Sequence, residues 1–331
     1  MADKRFKVII TDNDHGFITQ EEAVFADSDC ELVLMQLRTE DELIAACADA
    51  DGILTQYAPF TPRVIETLKK CQILSRYGVG YDTINVPAST KAGILAANVP
   101  DYGTEEVALH AITLATQLFR GTNACNADIH KGGWEYRVAG EFSDANKTTV
   151  GVFGLGRIGT SFATKAHALG FNVIGCDIIP EKIPSFVKSV DFATLLRESD
   201  IISSHCDLND GTRHIFSDET FAAMKPTTIF VNTSRGGVLD EDALARALEA
   251  GRFRGIGLDV VEKEPLRKDH PLLQFDRVVL TPHIAWYSVQ SRERLKERTA
   301  LNVRLTLEGK LSPYVVNPDV LQSPNLRFTQ Q

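Results

Sequence analysis

An arginine, a glutamate and a histidine each stand just beyond an apolar stretch in the second half of the sequence. They lie in Asn232-Thr233-Ser234-Arg235-Gly236-Gly237, in Asp259-Val260-Val261-Glu262-Lys263-Glu264-Pro265 and in Thr281-Pro282-His283-Ile284-Ala285-Trp286. Upstream, Gly154, Gly156 and Gly159 supply the G-x-G-x-x-G spacing. The first glycine permits a tight turn, the second lets backbone approach a pyrophosphate, and the third allows close helix–strand packing, with free N–H groups at the helix start aimed at phosphate. Asp177 follows about twenty residues on, where an acid grips the ribose hydroxyl pair. It would repel a 2′-phosphate, and Ile178, Ile179 and Pro180 after it offer no arginine to receive one, so NAD is favoured over NADP. A further turn, Arg76-Tyr77-Gly78-Val79-Gly80-Tyr81-Asp82, places two glycines directly after a strand, an arrangement that turns backbone N–H groups outward toward an anion such as a carboxylate.

The glycine turn needs a strand before it and a helix after it, and the sequence provides both. Val150, Val152 and Phe153 form a short apolar run without helical period, as a strand covered on both faces does. Ile158, Phe162, Ala166 and Leu169 follow at helical spacing, and Phe171, Val173 and Ile174 make the next strand. Further strands are expected at 201–204, 227–231, 255–258 and 277–280, and the carboxyl ends of such strands are where open α/β sheets bind ligands. The first hundred residues repeat the alternation, with strands at 6–10, 31–36, 52–55, 72–75 and 94–96 and amphipathic stretches at 39–49 and 61–70, which indicates a second parallel sheet. Punctuation at Asn98–Gly103 sets the first boundary. We read 1–101 as one domain, 102–287 as the nucleotide domain, and 288–331 as a helix and tail returning to the first. The helix starting near Thr104, with Thr104 as its cap, carries too many apolar positions to face solvent and is expected to pack between subunits or domains.

Composition narrows the function. The formal charge of −9 over 331 residues argues against a nucleic-acid surface. The basic cluster Arg292, Arg294, Lys296 and Arg298 alternates with Glu293 and Glu297 and reads as a solvated helix face. No apolar run is long enough to span a bilayer, and the N-terminus passes from charge straight into a strand without an apolar leader, so a cytoplasmic location is expected. Six cysteines without C-x-x-C or metal-like spacing read as reduced core residues, and no metal site is expected.

Taken together, GLGRIG, RYGVGYD and the three strand ends resemble the D-isomer-specific 2-hydroxyacid dehydrogenase family through nearly the whole chain. The segment TPHIAWYS is similar to the branch containing the C-terminal-binding proteins, NADH-dependent corepressors built on this fold. The resemblance implies two doubly wound parallel-sheet domains, a Rossmann nucleotide-binding domain and a flavodoxin-like substrate domain, and a homodimer formed through the former. It implies that Arg235 holds the substrate carboxylate and polarises its carbonyl, that His283 is the general acid and base, and that Glu264 is its partner, a nearby carboxylate favouring the imidazolium. Gly78, Val79 and Gly80 match the turn that receives the carboxylate, with Arg76 a second cation and Trp286 a wall for the substrate side chain. Cofactor contacts carry over to Gly154, Gly156, Arg157, Ile158, Gly159, Asp177, His205, Cys206, Thr233, Ser234 and Asp259. His110, His130 and His214 are read as structural. Two departures stand out: Asp207 replaces a proline common in the family, and Val107 replaces a hydroxyl residue. Glu264, where formate dehydrogenases of the superfamily carry glutamine, argues against formate. The expected activity is NAD-dependent reduction of a small 2-oxo acid, the alternative being an NADH-sensing binding module of the corepressor type.

Overall fold

The computed structural model describes residues 5–329. The chain divides into two compact units, Met1–Gly103 with Ser288–Gln331, and Thr104–Tyr287. In the first, β1 (Phe6–Ile10), α1 (Thr19–Phe25), β2 (Cys30–Leu34), α2 (Glu40–Cys47), β3 (Gly52–Thr55), α3 (Pro62–Ile65), β4 (Ile73–Arg76), α4 (Val86–Lys91) and β5 (Leu95–Ala97) follow in strict alternation. All strand pairs are parallel and the order is β2-β1-β3-β4-β5, the flavodoxin-like arrangement. Ile9, Ile53, Leu74 and Ala96 enter a core shared with Leu43, Phe60 and Ile65 from the covering segments.

The amphipathic stretch at 61–70 yields only the four-residue α3. Its hydrogen-bond ladder stops because the Thr67 hydroxyl turns to the Val64 carbonyl, 2.7 Å away, while the Lys69 N–H leaves for the Ala48 carbonyl.

The second unit opens with α5 (Thr104–Arg120) and α6 (Thr122–His130) and continues through β6 (Thr149–Phe153), α7 (Arg157–Ala168), β7 (Asn172–Cys176), β8 (Lys188–Ser189), α8 (Phe192–Glu198), β9 (Ile201–Ser204), α9 (Asp218–Ala223), β10 (Ile229–Asn232), α10 (Glu241–Glu249), β11 (Gly255–Leu258) and β12 (Val278–Leu280). Its seven-stranded parallel sheet runs β12-β11-β10-β9-β6-β7-β8, the dinucleotide-binding order with one extra strand, and the chain reverses direction across the sheet between β6 and β9. One face packs Val150, Val152 and Val231 on Ala111, Leu114 and Phe162, and the other packs Phe230 and Ile256 on Phe216, Phe221 and Leu244.

Two expectations are corrected here. Thr104 is the first residue of α5 rather than its cap, and the apolar face of α5 is used inside its own unit. Leu118 and Leu114 sit where side chains on Gly255 and Gly257 of β11 would be, at 2.7 and 3.0 Å, so the two glycines let α5 lie directly on the sheet. Only Leu109 of its large apolar residues is left exposed.

The last helix, α11 (Val289–Leu307), belongs to the first unit and packs on α1, β3 and β4. Asn302 Nδ2 donates to Ser75 Oγ and to the Asn98 carbonyl, and the tail adds an antiparallel bridge from Val315 to Ala97. The basic cluster on this helix is not a solvated face. Lys296 is fully buried, Arg294 donates to the Tyr102 carbonyl and Arg298 pairs with Asp101. The buried side of α11 includes Ser291, Lys296, Thr299, Asn302 and Thr306 among Leu295, Ala300, Val303 and Leu307, so polar residues interrupt the apolar periodicity of its inward face. Among the described residues no helix is long and apolar enough to cross a membrane, no cluster of metal-ligating groups occurs, and all six cysteines are free.

Candidate active site

The glycine turn sits where β6 hands over to α7. Gly154 has φ +87°, a conformation that penalises any side chain, and a Cβ on Gly159 would collide with the Gly154 carbonyl. At Gly156 the space is open. Its N–H and those of Arg157 and Ile158 find no acceptor among the described residues, and they stand at the start of a twelve-residue helix, so three donors and the helix dipole are available to a diphosphate.

Asp177, directly after β7, accepts from the Leu155 N–H at 2.5 Å and the Ile179 N–H at 2.8 Å, which ties the acid to the turn while leaving it half-exposed. His205 and Cys206, beyond β9, back onto Gly154. The His205 ring packs on Phe162 with Nε2 2.8 Å from Ser203 Oγ, and burial pushes its pKa down to about 3, so it is neutral. Burial likewise raises the Cys206 thiol. Thr233, after β10, has a buried hydroxyl without a partner among the described residues, while the Ser234 hydroxyl donates to Asn232 Oδ1. An open phosphate cradle after β6, an acid at the end of β7 and an orphaned hydroxyl at the end of β10 are what an adenine dinucleotide requires, so these residues fit NAD.

Arg235, Glu264 and His283 follow β10, β11 and β12, which are adjacent in the sheet. Gly236 brings the first loop against the second, for a Cβ there would overlap the backbone of Val261 and Glu262. Asn232 Nδ2 donates to the Arg235 carbonyl and fixes the turn that presents the guanidinium. Glu264 Oε2 lies 2.7 Å from His283 Nδ1, and Glu264 Oε1 accepts from the Val261 N–H at 3.3 Å. Burial pushes the Glu264 carboxyl up, but the bond to and charge of His283, the Val261 N–H and the nearby charge of Arg235 outweigh it, and the net shift is downward. An ionised carboxylate accepts only, so Nδ1 carries a proton and Nε2 is the nitrogen left to exchange one with a substrate. Trp286, three residues on, is half-buried with its ring edge-on to Tyr287 at 5.7 Å.

Asp259, read from the sequence as a cofactor contact, has a different occupation. Its carboxylate is buried and accepts from Thr281 Oγ1, the Ile284 N–H and the Ala285 N–H at 2.5, 2.9 and 2.8 Å. His110 of α5, read as structural, has Nε2 2.9 Å from Thr281 Oγ1. No motif spacing links His110 to Thr281, since 171 residues separate them.

In the first unit, the turn after β4 holds Gly78 at φ +136° with the Arg76 guanidinium folded over it. The Gly78 carbonyl accepts from the Val99 N–H at 2.9 Å, and the Val79 carbonyl from Asn98 Nδ2 at 2.6 Å. With both carbonyls tied down, the N–H groups of Gly78, Val79 and Gly80 remain without acceptors among the described residues, as an anion-binding turn requires. Beneath the turn, the Tyr77 hydroxyl donates to Glu21 Oε1 at 2.8 Å, and Lys296 Nζ lies 3.5 Å from Glu21 Oε2.

Two doubly wound units, a dinucleotide cradle and an arginine–glutamate–histidine set on three neighbouring strand ends define an α/β oxidoreductase. The profile of the D-isomer specific 2-hydroxyacid dehydrogenase family, NAD binding domain, matches residues 112–285. The chain is 33% identical to a glyoxylate reductase of Thermofilum pendens, over 88% of this chain and 90% of that protein. It is also 33% identical to a hydroxypyruvate reductase of Blautia hydrogenotrophica, over 81% of this chain and 86% of that one. The crystal structure of a D-lactate dehydrogenase from Aquifex aeolicus, complexed with NAD and lactic acid, superposes with a TM-score of 0.84 at 27% identity, over 94% of this chain and 99% of that one. The chain belongs to the D-isomer specific 2-hydroxyacid dehydrogenase family and is an NAD-dependent dehydrogenase.

Proposed function

We propose that the protein reduces a small 2-oxo acid, of the size of glyoxylate or hydroxypyruvate, to the D-2-hydroxy acid, with His283 as proton donor, Glu264 as its partner and Arg235 as the substrate-holding cation. The observation that carries this reading is the 2.7 Å contact between His283 Nδ1 and Glu264 Oε2, with Arg235 close enough for its charge to act on Glu264. NADH, when bound by the Gly154–Gly159 cradle and Asp177, supplies the hydride. Arg235 presents a planar fork that takes up the substrate's carboxylate and leans on its carbonyl oxygen, making the carbonyl carbon more electrophilic. His283 Nε2 delivers a proton to that oxygen as it gains charge, and Glu264 holds the ring in the required tautomer and steadies the imidazolium. The Gly78–Gly80 turn of the first unit, taken by itself, offers three N–H groups to an anion such as a carboxylate, with Arg76 adding positive charge. Trp286 bounds the space for the substrate's side chain.

Turnover is favoured over the corepressor-like binding module because the proton-donating pair is intact and hydrogen-bonded. The deciding measurement is NADH oxidation against a panel of 2-oxo acids, for wild type and His283→Ala. We expect wild-type turnover and a loss of about 10²- to 10⁴-fold in the variant. A wild-type rate no higher than that of His283→Ala, with NADH still bound, overturns the enzymatic reading in favour of the binding module.

A further inference from the structure

His283 has φ +55°, left-handed backbone that a residue with a Cβ adopts only when its surroundings hold it there. Besides the Thr281 carbonyl, which shares the His283 N–H at 3.0 Å, the backbone restraints centre on Asp259. Its main-chain carbonyl accepts the His283 N–H at 2.8 Å, and its carboxylate gathers the next two N–H groups and the Thr281 hydroxyl. Thr281 has a single hydroxyl proton, and the 2.5 Å contact commits it to Asp259. The Thr281 oxygen must therefore accept at its other contact, so His110 Nε2, 2.9 Å away, is the donor. The order of donation is fixed: His110 Nε2–H to Thr281 Oγ1–H to Asp259 Oδ1. The start of that chain lies on α5, which the glycines of β11 let rest directly on the strand leading into Asp259.

We propose that His110 and Thr281 are positioning residues for the acid–base histidine, acting through Asp259 on the backbone of residues 281–285. Glu264 orients the imidazole ring, whereas the His110–Thr281–Asp259 relay places the Cα from which the ring hangs. The proposal rests on His283 being the proton donor. It adds that α5, a core helix with no residue in the reaction, sets where the proton is delivered. Displacement of a reacting group by about 1 Å costs up to 10²-fold in rate, so loss of the relay has a kinetic signature even when the fold survives.

The test compares His110→Leu, which removes the donor, with His110→Gln, which keeps an N–H, and Thr281→Val with Thr281→Ser. Steady-state kinetics on the best 2-oxo acid are read together with NADH affinity by fluorescence and thermal stability. We expect His110→Leu and Thr281→Val each to lose about 10- to 100-fold in kcat, with NADH affinity and melting temperature close to wild type. His110→Gln and Thr281→Ser recover most of that rate, and the Leu/Val double variant is no slower than the slower single variant, as members of one chain behave. An unchanged kcat in His110→Leu, or a loss that Gln does not rescue and that falls equally on NADH affinity and stability, overturns the proposal. Should His110→Leu not fold, the Thr281 pair carries the same comparison. Failure of the underlying assignment is distinguishable, because His283→Ala would then retain wild-type turnover.

Discussion

At the level of single residues, the proposed chemistry rests on one hydrogen-bonded pair whose two halves are separately visible in sequence but whose contact is not. Glu264 and His283 lie nineteen positions apart on the loops after neighbouring strands. Family resemblance names them, while the 2.7 Å distance and the lowered Glu264 carboxyl come from the sheet that aligns the loops. Glu264 is partly exposed, so its value lies in orienting and charging the ring more than in stability. Glu264→Gln keeps a group able to accept from Nδ1–H and removes the charge. We expect kcat to fall, because the charge that steadies the proton-donating ring has gone. A carboxyl held below its ordinary 4.5 stays ionised as pH falls through that value, so the wild-type pair persists into mildly acidic solution and is lost only below it. A pH–rate profile of wild type and variant checks the acid limb, and coincident profiles with full activity remove Glu264 from the mechanism. His110 and Asp259 show the limit of sequence reading at this scale. A histidine inside an apolar helix carries no signal of its partner, and the Asp259 carboxylate is engaged by residues 281–285 of the loop after the neighbouring strand.

Among the elements, the glycine turn and strand ends were readable because steric rules act locally: a left-handed or crowded position selects glycine, and parallel strands select apolar runs. α11 was not. Its inward face contains serine and threonine, whose hydroxyls bond back to carbonyls of the preceding turn, and Lys296 and Asn302, which reach Phe17 and Asn98 of the same unit, so the charge pattern looks solvated although Lys296 is 0% exposed. Lys296 lies against the Phe17 ring at 4.1 Å and beside Glu21, itself buried and bonded to Tyr77 of the carboxylate turn. Burial lowers the Lys296 pKa and raises that of Glu21, and the opposite charge of the partner offsets only part of that cost, so each charge depends on the other being present. Removing one partner from such a pair costs about 3–5 kcal/mol, and removing both costs much less. Lys296→Met is therefore expected to destabilise strongly and Glu21→Gln/Lys296→Met mildly. The single variant's penalty grows as pH rises above 4.5, the ordinary glutamate value, because a carboxyl whose folded pKa is raised resists ionisation in the fold while it ionises freely in the unfolded chain. Denaturant titrations at pH 4.5 and 7.5 test this. A pH-independent loss below 1 kcal/mol in the single variant contradicts a coupled buried pair.

At the scale of the whole molecule, the segment after α5 carries large aromatic side chains that its own unit does not cover. Trp134 is 89% and Tyr136 80% exposed, with Ile129 and Phe142 nearby in sequence, and α6 buries none of its residues. These side chains are not on a loose loop. Arg254 donates to the carbonyls of Ala139 and Phe119 at 2.8 and 3.2 Å, and the Arg120 guanidinium covers the Phe142 ring at 4.6 Å. Gly121, at φ +62°, sits so close to Ala139 that a Cβ would come within 2.6 Å of its carbonyl oxygen. A large, fixed and apolar patch is uncommon on a monomer, and a second copy related by a two-fold axis would meet it with the same patch. We propose that the protein is a homodimer through residues 129–142 of the nucleotide unit, where the sequence placed the contact on the apolar face of α5. That face is filled by the sheet, whereas α6 buries none of its residues. Light scattering of wild type at micromolar concentration is expected to give twice the 36.5 kDa chain mass. Trp134→Asp/Tyr136→Asp is expected to give that mass once, with the far-ultraviolet spectrum unchanged because neither side chain supports its own unit. A wild-type monomer, or a double variant that stays dimeric, places the partner surface elsewhere.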